Sequence, residues 1–342
     1  MIRVAIIGAA GLSGLELIHW LRSHPQIELS ILTSSKYAGQ TLEEVFPKYT
    51  GMSQSFEKHD ANLDHCDAAF LAIPNKASLD LVPALLEKKI RVVDLSGVYR
   101  LNNTSIFEKY YGLTHTSPNL LETAVFGLPE YFKDQICEAN LIANPGCYPT
   151  GALLGMLPFG NLLENLSTAP ILDAKSGVSG AGGRVEDDTT NYVTVNENFK
   201  AYKIFNHQHT PEIEQYLAEL TGYSMPQHGS LTFTPHLLPL NRGILTTIYL
   251  RFHDALPVEH VRQSFEDTAQ SNPFMHVLPQ GHFPDLAMVQ NTNYCRIGIA
   301  HDDSRKNWIV VTTIDNLVKG AAGQAIQNMN LMFGLDESTG LI

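Results

Sequence analysis

Short apolar runs alternate with segments of helical periodicity through the first half of the chain. Residues 3–7 read as a strand, 12–22 as a helix and 27–33 as a second strand. Residues 68–73 and 91–94 are further strands, and between them residues 78–89 carry Leu79, Val82, Leu85 and Leu86 at helical spacing. Strands that alternate with helices predict a parallel sheet covered on both faces. Residues 141–144 add another strand, which Pro145-Gly146 ends. From about residue 170 the texture changes. Residues 170–174 form a strand, followed by a glycine-rich loop over 176–183. Residues 231–234, 244–252 and 308–314 read as β-branched, partly alternating strands, interrupted by helical patterns at 211–220 and 258–269. This half predicts an α+β domain with a mixed or antiparallel sheet. A final helix over 317–333 is long enough to pack back onto the first domain.

The length, 342 residues, agrees with two domains. An apolar fraction of 44% and a charged fraction of 17% are those of a globular chain. The formal net charge of −12 disfavours nucleic acid or an anionic membrane as partner, since phosphate contacts need clustered Lys and Arg. It leaves room for a small anion held by a few cations in a cleft. No apolar stretch reaches the about 18–20 residues that span a bilayer. Residues 1–7 are apolar, but Gly8, Ser13, Glu16 and His19 interrupt the run before a signal-peptide core forms. Cys66, Cys137, Cys147 and Cys295 are widely spaced with no C-x-x-C, which predicts reduced thiols in a cytosolic enzyme and neither a disulfide framework nor a zinc site.

At the first strand–helix junction stands Gly8-Ala9-Ala10-Gly11-Leu12-Ser13-Gly14. Glycines at three-residue steps in this setting fit a dinucleotide pyrophosphate, which needs a tight turn, close backbone approach and a helix N-terminus. The first domain is therefore expected to be a Rossmann-type unit, with Gly8, Ala10, Gly11, Leu12, Ser13 and Gly14 at the cofactor. After the second strand the chain runs Thr33-Ser34-Ser35-Lys36, with no acid before Glu43. Hydroxyls and a cation at Ser34, Ser35 and Lys36 suit a ribose 2′-phosphate, which favours NADP(H) over NAD.

The segment Asn144-Pro145-Gly146-Cys147-Tyr148-Pro149-Thr150 follows a strand and leads into a helical pattern. Cys147 at a helix N-terminus gains thiolate character from the dipole and the unpaired N–H groups, which also suit an oxyanion. Downstream, His207-Gln208-His209-Thr210-Pro211-Glu212 reads as an extended approach to a helix, with Thr210 as N-cap and Pro211 in the first helical position. In extended backbone, His207 and His209 face one side and Glu212 lies within reach to orient an imidazole. An H-x-H pair also suits a metal, but no third ligand is in view, so no metal is expected.

Taken with Asp94-Leu95-Ser96, Arg100, Gly127-Leu128-Pro129-Glu130, Asn241-Arg242-Gly243 and Asp315-Asn316-Leu317-Val318-Lys319-Gly320, these motifs resemble the N-acetyl-γ-glutamyl-phosphate reductase family over essentially the whole chain. More distantly the chain resembles aspartate-semialdehyde dehydrogenase. The family's usual arginine after the second strand is Lys36 here. The resemblance implies a Rossmann-type domain at 1–146, joined by the C-terminal helix 317–342, and an α+β catalytic and dimerisation domain at 147–316. It implies NADPH-dependent reduction of N-acetyl-L-glutamyl 5-phosphate to the semialdehyde and inorganic phosphate in arginine biosynthesis, in the cytoplasm, by a homodimer or homotetramer. Cys147 is the expected nucleophile, forming a thioester, and His207 or His209 the acid/base. Ser96, Arg100, Asn144, Lys175 and Arg242 are candidates for binding the acyl-phosphate substrate. Arg100 is assigned to phosphate; Lys175, Arg184 or Arg242 would hold the carboxylate. Ser176 and Gly177 open a loop that wraps nicotinamide or acyl group. A related acyl-phosphate reductase, a phosphorylating aldehyde dehydrogenase running in the oxidative direction and a non-catalytic nucleotide sensor are the competing readings; a sensor needs neither Cys147 nor the histidines.

Overall fold

Val4, Ala5, Ile6 and Ile7 are all sealed from solvent in the first strand, and Ala68 to Leu71 are equally sealed three strands later. Unbroken apolar runs of this kind belong to strands covered on both faces. The computed structural model describes residues 1–181, 192–224 and 229–342. It divides into two units, Met1–Pro145 with Ala321–Ile342, and Gly146–Gly320.

In the first unit the strands are β1 (Ile2–Ile7), β2 (Ile27–Thr33), β3 (Phe56–Glu57), β4 (Ala68–Leu71), β5 (Arg91–Asp94), β6 (Val125–Phe126) and β7 (Leu141–Ala143). They form one parallel sheet in the order β3-β2-β1-β4-β5-β7-β6. The order reverses between β1 and β4, which places a ligand crevice at the carboxyl ends of those strands. The helix Asn75–Glu87 begins three residues before the expected 78, because Pro74 sets the extended entry and the first turn is polar. Its Leu79, Val82 and Leu85 are buried in the core with Ile7, Leu71, Val92 and Phe107.

The C-terminal segment departs from a single helix over 317–333. A π-type turn, Val318–Ala322, precedes the α-helix Gly323–Met332. That helix is buried all round, and its amides reach backbone and side chains rather than water: Asn328 Nδ2 donates to Gly127 O and to Asn144 Oδ1.

In the second unit the strands are β8 (Ile171–Gly177), β9 (Lys200–Ala201), β10 (Thr232–Leu238), β11 (Ile244–Arg251), β12 (Met275–Val277), β13 (Cys295–His301) and β14 (Asn307–Ile314). The sheet is mixed, in the order β12-β13-β14-β11-β8-β10-β9, with β8/β10 and β12/β13 parallel. The Cys147–Met156 helix lies on one face. A Cβ added at its Gly155 would stand 2.7 Å from Ile248 Cδ1, so the glycine lets helix and sheet approach. On the other face Ile171, Tyr249 and Ile309 are exposed.

Strand β8 runs on through Ser176 and Gly177, where a loop was expected; the ladder to β10 and β11 holds these residues in extended form. A short 3-10 turn, Val178–Ala181, follows. Gly182, Gly183 and Arg184 lie outside the described residues. Strand β13 continues the apolar pattern beside Cys295: Cys295, Ile297 and Ile299 alternate with Arg296 and Gly298 at a strand's period of two.

Candidate active site

The nucleotide loop is shaped by two close approaches. Gly8 has φ +86°, and a Cβ there would lie 2.4 Å from Ala72 O. A Cβ at Gly14 would lie 2.4 Å from Gly8 O, so only glycine lets the helix Leu12–Leu21 seat on the turn. At Gly11 the same added atom meets nothing nearer than 3.5 Å, which leaves its outer side open to an approaching ligand. Gly11 is the N-cap and offers no side-chain acceptor to the first-turn N–H groups. A turn this tight, ending on an uncapped helix N-terminus, fits a pyrophosphate. Ala10 and Ser13 are half-buried and Leu12 exposed on this turn. Thr33, at the end of β2, braces it: Gly8 N–H donates to its hydroxyl and Ala9 N–H to its carbonyl. Beyond it Ser34 is buried and accepts the Tyr37 N–H, while Ser35 and Lys36 are exposed and the Lys36 ammonium stands 5.0 Å from the Tyr37 ring centre.

Arg100 is buried at the carboxyl ends of β5 and β7, its Nε donating to Asn144 O at 2.7 Å and its Nη2 to Leu95 O at 2.9 Å. Ser96 donates to the Asp94 carboxylate at 2.6 Å. Burial pushes the Asp94 carboxyl up, against the pull of the Ser96 hydrogen bonds. Asn144 Nδ2 donates to Ala321 O and its Oδ1 accepts from Asn328. Ser96 and Asn144, expected at the substrate, thus both have protein partners that organise the strand ends.

In the second unit, Gly146 has extended φ and ψ of −66° and 152° and caps the Cys147–Met156 helix, with Cys147 as its first residue. Cys147 is half-buried, while Cys66 and Cys295 are buried and Cys137 exposed. Burial lifts the Cys66 thiol to about 11, which makes it inert. The Glu212 carboxylate is fully buried, and its Oε1 accepts the Gly146 N–H at 2.7 Å. This hydrogen bond ties down the backbone beside Cys147. The His209 ring lies on the same glycine: a Cβ at 146 would be 2.4 Å from His209 Nε2.

The two histidines converge for a reason other than strand alternation. Gln208 has helical φ and ψ of −62° and −17°, and the helix runs His209–Thr221. Thr210 is therefore inside the helix, not its cap, and the expected extended approach is corrected to a turn. The rings stand 4.7 Å apart. His207 is 3% exposed and edge-on to Tyr148, Tyr202 and Phe233. Its Nδ1 accepts the His209 N–H at 3.1 Å, and burial holds its pKa down to about 3. His209, against Gly146, is the imidazole at the elbow.

Sequence reading missed the phenols. Tyr148 OH meets Tyr202 OH at 3.1 Å and His236 O at 3.3 Å. Burial drives the Tyr148 phenol well above its ordinary range and Tyr202 to about 12; the Cys147 charge acts on both in the same direction. Both are neutral donors beside the thiol. The signal was slight, a tyrosine adjoining Cys147. Ser176 is buried, bonds Gly177 O at 2.9 Å and also engages Tyr148, so it belongs to this cluster. Gly177 packs on the Asn241–Arg242 backbone at 2.8 Å from an added Cβ.

Lys175 is corrected. It pairs with Leu245, one residue off from the Ala174–Thr246 pair that faces the Cys147–Met156 helix, so its side chain leaves on the opposite face. There Lys175 Nζ pairs with Asp173 at 2.5 Å, and His236 Nδ1 approaches the same carboxylate at 3.2 Å. Arg242 is ion-paired with Asp315 at 3.3 Å. Among the described residues no group of three His, Cys, Asp or Glu side chains is arranged to hold a metal.

Two family models match the chain: the semialdehyde dehydrogenase NAD binding domain over residues 3–139 and the semialdehyde dehydrogenase dimerisation domain over 147–316. The chain is 44% identical over 343 residues to an N-acetyl-gamma-glutamyl-phosphate reductase of Leptospira interrogans, covering 100% of each. It is 44% identical over 346 residues to the protein of the same name from Desulforapulum autotrophicum, covering 100% of this chain and 98% of that one. Among solved structures it is similar to aspartate semialdehyde dehydrogenase II of Vibrio cholerae, with a TM-score of 0.72, 16% identity and 98% of each chain covered. The Candida albicans aspartate semialdehyde dehydrogenase with NADP gives a TM-score of 0.71 and 19% identity, with 97% of this chain and 98% of that one covered.

Proposed function

The chain belongs to the semialdehyde dehydrogenase family, among its N-acetyl-γ-glutamyl-phosphate reductases, and from this we propose that it converts N-acetyl-L-glutamyl 5-phosphate, NADPH and a proton to N-acetyl-L-glutamate 5-semialdehyde, phosphate and NADP. The observation that carries the reading is Cys147 as first residue of a helix, with His209 against the preceding glycine and Glu212 holding that glycine's N–H.

An acyl phosphate is an activated carbonyl with a good leaving group. Cys147 attacks it, the C–O bond to phosphate breaks, and the acyl group is held as a thioester. The helix N-terminus favours the thiolate and the negative charge that gathers on the carbonyl oxygen. His209 takes the thiol proton and returns it to sulfur as the aldehyde departs; such help is worth about 10²–10⁴-fold. His207 packs behind it as a neutral support. The phenols of Tyr148 and Tyr202 remain protonated and donate hydrogen bonds near the sulfur. NADPH, held through residues 8–14 and by Ser34, Ser35 and Lys36, supplies the hydride when bound. Arg100 receives the phosphate, and Arg242 the substrate carboxylate.

The exposed face of the mixed sheet supports assembly of a homodimer or homotetramer through this unit. Ile171, Tyr249 and Ile309 are register partners across β8, β11 and β14, and form an exposed apolar row. Among the described residues no helix is long and apolar enough to cross a membrane, in keeping with a cytoplasmic enzyme.

The reading is tested by the reverse reaction, with N-acetylglutamate semialdehyde, phosphate and NADP beside aspartate semialdehyde. Preference for the N-acetylglutamate compound is expected; preference for aspartate semialdehyde would sink the substrate assignment. Incubation with acyl phosphate alone, then mass spectrometry, is expected to find the acyl group on the peptide containing Cys147.

A further inference from the structure

After β14 the chain enters a turn that the reaction scheme leaves without a role. Asp315, completely buried, is its hub. Oδ1 accepts the N–H of Leu317 at 2.9 Å and of Val318 at 3.3 Å. Oδ2 accepts the Asn291 N–H at 2.7 Å and faces the Arg242 guanidinium at 3.3 Å. A carboxylate at this point satisfies donors that the start of a helical turn leaves without carbonyl partners. The turn itself is of π type, with the Gly320 N–H reaching back to Asp315 O at 2.9 Å. Single π turns are rare and gather at functional sites. Lys319 in this turn is buried, its ammonium 5.9 Å from the centre of the Phe274 ring.

What this turn delivers is Gly320, against the nucleophile. A Cβ at 320 would stand 2.7 Å from Cys147 Cβ and 3.2 Å from Cys147 Cα. Neither atom is the tip of a flexible side chain, so the crowding cannot be relieved by rotation. The backbone of residue 320 therefore runs close along one side of the Cys147 Cα–Cβ bond, with room for no side chain between them.

We infer that Asp315 is a positioning residue for Cys147, acting through the turn whose Gly320 backbone is the wall that sets the direction of the thiol. The inference rests on Cys147 being the nucleophile. Asp315 acts through the turn: it fixes the wall, and the wall fixes the sulfur. The Arg242–Asp315 pair accordingly ties a candidate substrate cation to the same anchor.

Two variants of the full-length enzyme test this. Gly320→Ala is expected to lower kcat by about 100-fold, the order of loss that a misplacement of about 1 Å causes, with the KM for acyl phosphate and the Kd for NADPH unchanged. The rate of Cys147 alkylation by iodoacetamide, read by mass spectrometry, is expected to fall in the same protein, a change that general loosening would reverse in sign. Asp315→Asn keeps the Oδ1 acceptor but loses the Oδ2 acceptor of the Asn291 N–H and the charge facing Arg242; it is expected to lower kcat and the alkylation rate more weakly than Gly320→Ala, with the KM for acyl phosphate altered through Arg242, and it decides the matter if Gly320→Ala does not fold. Wild-type kcat in the folded variant overturns the inference, and so does a lowered kcat with wild-type alkylation rate and pH profile. Acyl trapping on wild-type Cys147 is run alongside: its failure strikes the nucleophile assignment itself, whereas successful trapping with unaltered variants strikes only the role of Asp315 and Gly320.

Discussion

The imidazole of His209 lies so near Gly146 that a single added methyl carbon on residue 146 would come within 2.4 Å of Nε2 and 2.7 Å of Cδ2. The backbone of Gly146, at φ −66° and ψ 152°, is open to any residue. Glycine is needed at this position for the space its missing side chain leaves to the ring, and that space brings the proposed acid/base group beside the residue preceding the proposed nucleophile.

Gly146→Ala is therefore expected to displace His209 rather than strain the elbow. Overpacking of this kind costs about 1–3 kcal/mol, and misplacing a general acid/base is expected to lower kcat by about 100-fold. A urea midpoint and a steady-state assay on the same preparation check both; unchanged kcat would remove His209 from the chemistry.

Glu212 separates hydrogen bonding from charge. Glu212→Ala leaves the buried Gly146 N–H without its acceptor, which costs about 1–3 kcal/mol. Glu212→Gln retains an acceptor at Oε1 and is expected to recover most of the stability and more of the activity than the alanine variant. Equal losses in the two variants, by urea denaturation and kcat, would point to the charge as the essential property.

His207 predicts a pH effect on stability. The unfolded imidazole takes up a proton near 6.5, while the folded one resists until about 3 because burial opposes its charge. Between those values the unfolded chain binds more protons, so this contribution is complete above 6.5 and is lost as pH falls, with a slope of up to about 1.4 kcal/mol per pH unit. His207→Gln is expected to flatten the acid limb of stability between pH 6.5 and 4 in urea titrations. An unaltered limb would mean that His207 is protonated without penalty.

Lys36 tests cofactor choice. It is exposed and stands at the end of β2, so an ion pair with a 2′-phosphate would be worth up to about 1 kcal/mol. Lys36→Met is expected to raise the KM for NADP by about 2- to 5-fold while that for NAD holds. A parallel rise for both would place Lys36 outside the 2′-phosphate site.

Much of the Rossmann-type sheet was legible in the sequence because strands covered on both faces leave continuous apolar runs, as in Val4 to Ile7 and Ala68 to Leu71. The glycine loop and the Gly146–Cys147 elbow were legible for a related reason: each is a local strand–turn–helix whose chemistry lies within a few residues. The start of the helix at His209 was read two residues late, because Thr210-Pro211 carries the signature of a cap and first turn, and the fold draws the helix start back to His209.

The amino-acid sequence alone determined where most of the longer strands and helices and the Gly146–Cys147 elbow fall, since those depend on near neighbours and on periods of 2 and about 3.6 residues. It could not determine which side of a strand meets a helix. Lys175 and Ser176 are adjacent and alternate as any strand requires, yet only the packing of the Cys147–Met156 helix sends Ser176 toward Tyr148 and Lys175 to the far face. Nor could it bring Asp315 to Arg242 or Gly320 to Cys147, because such pairs are far apart along the chain and become neighbours only when a buried core makes one set of contacts more stable than the alternatives.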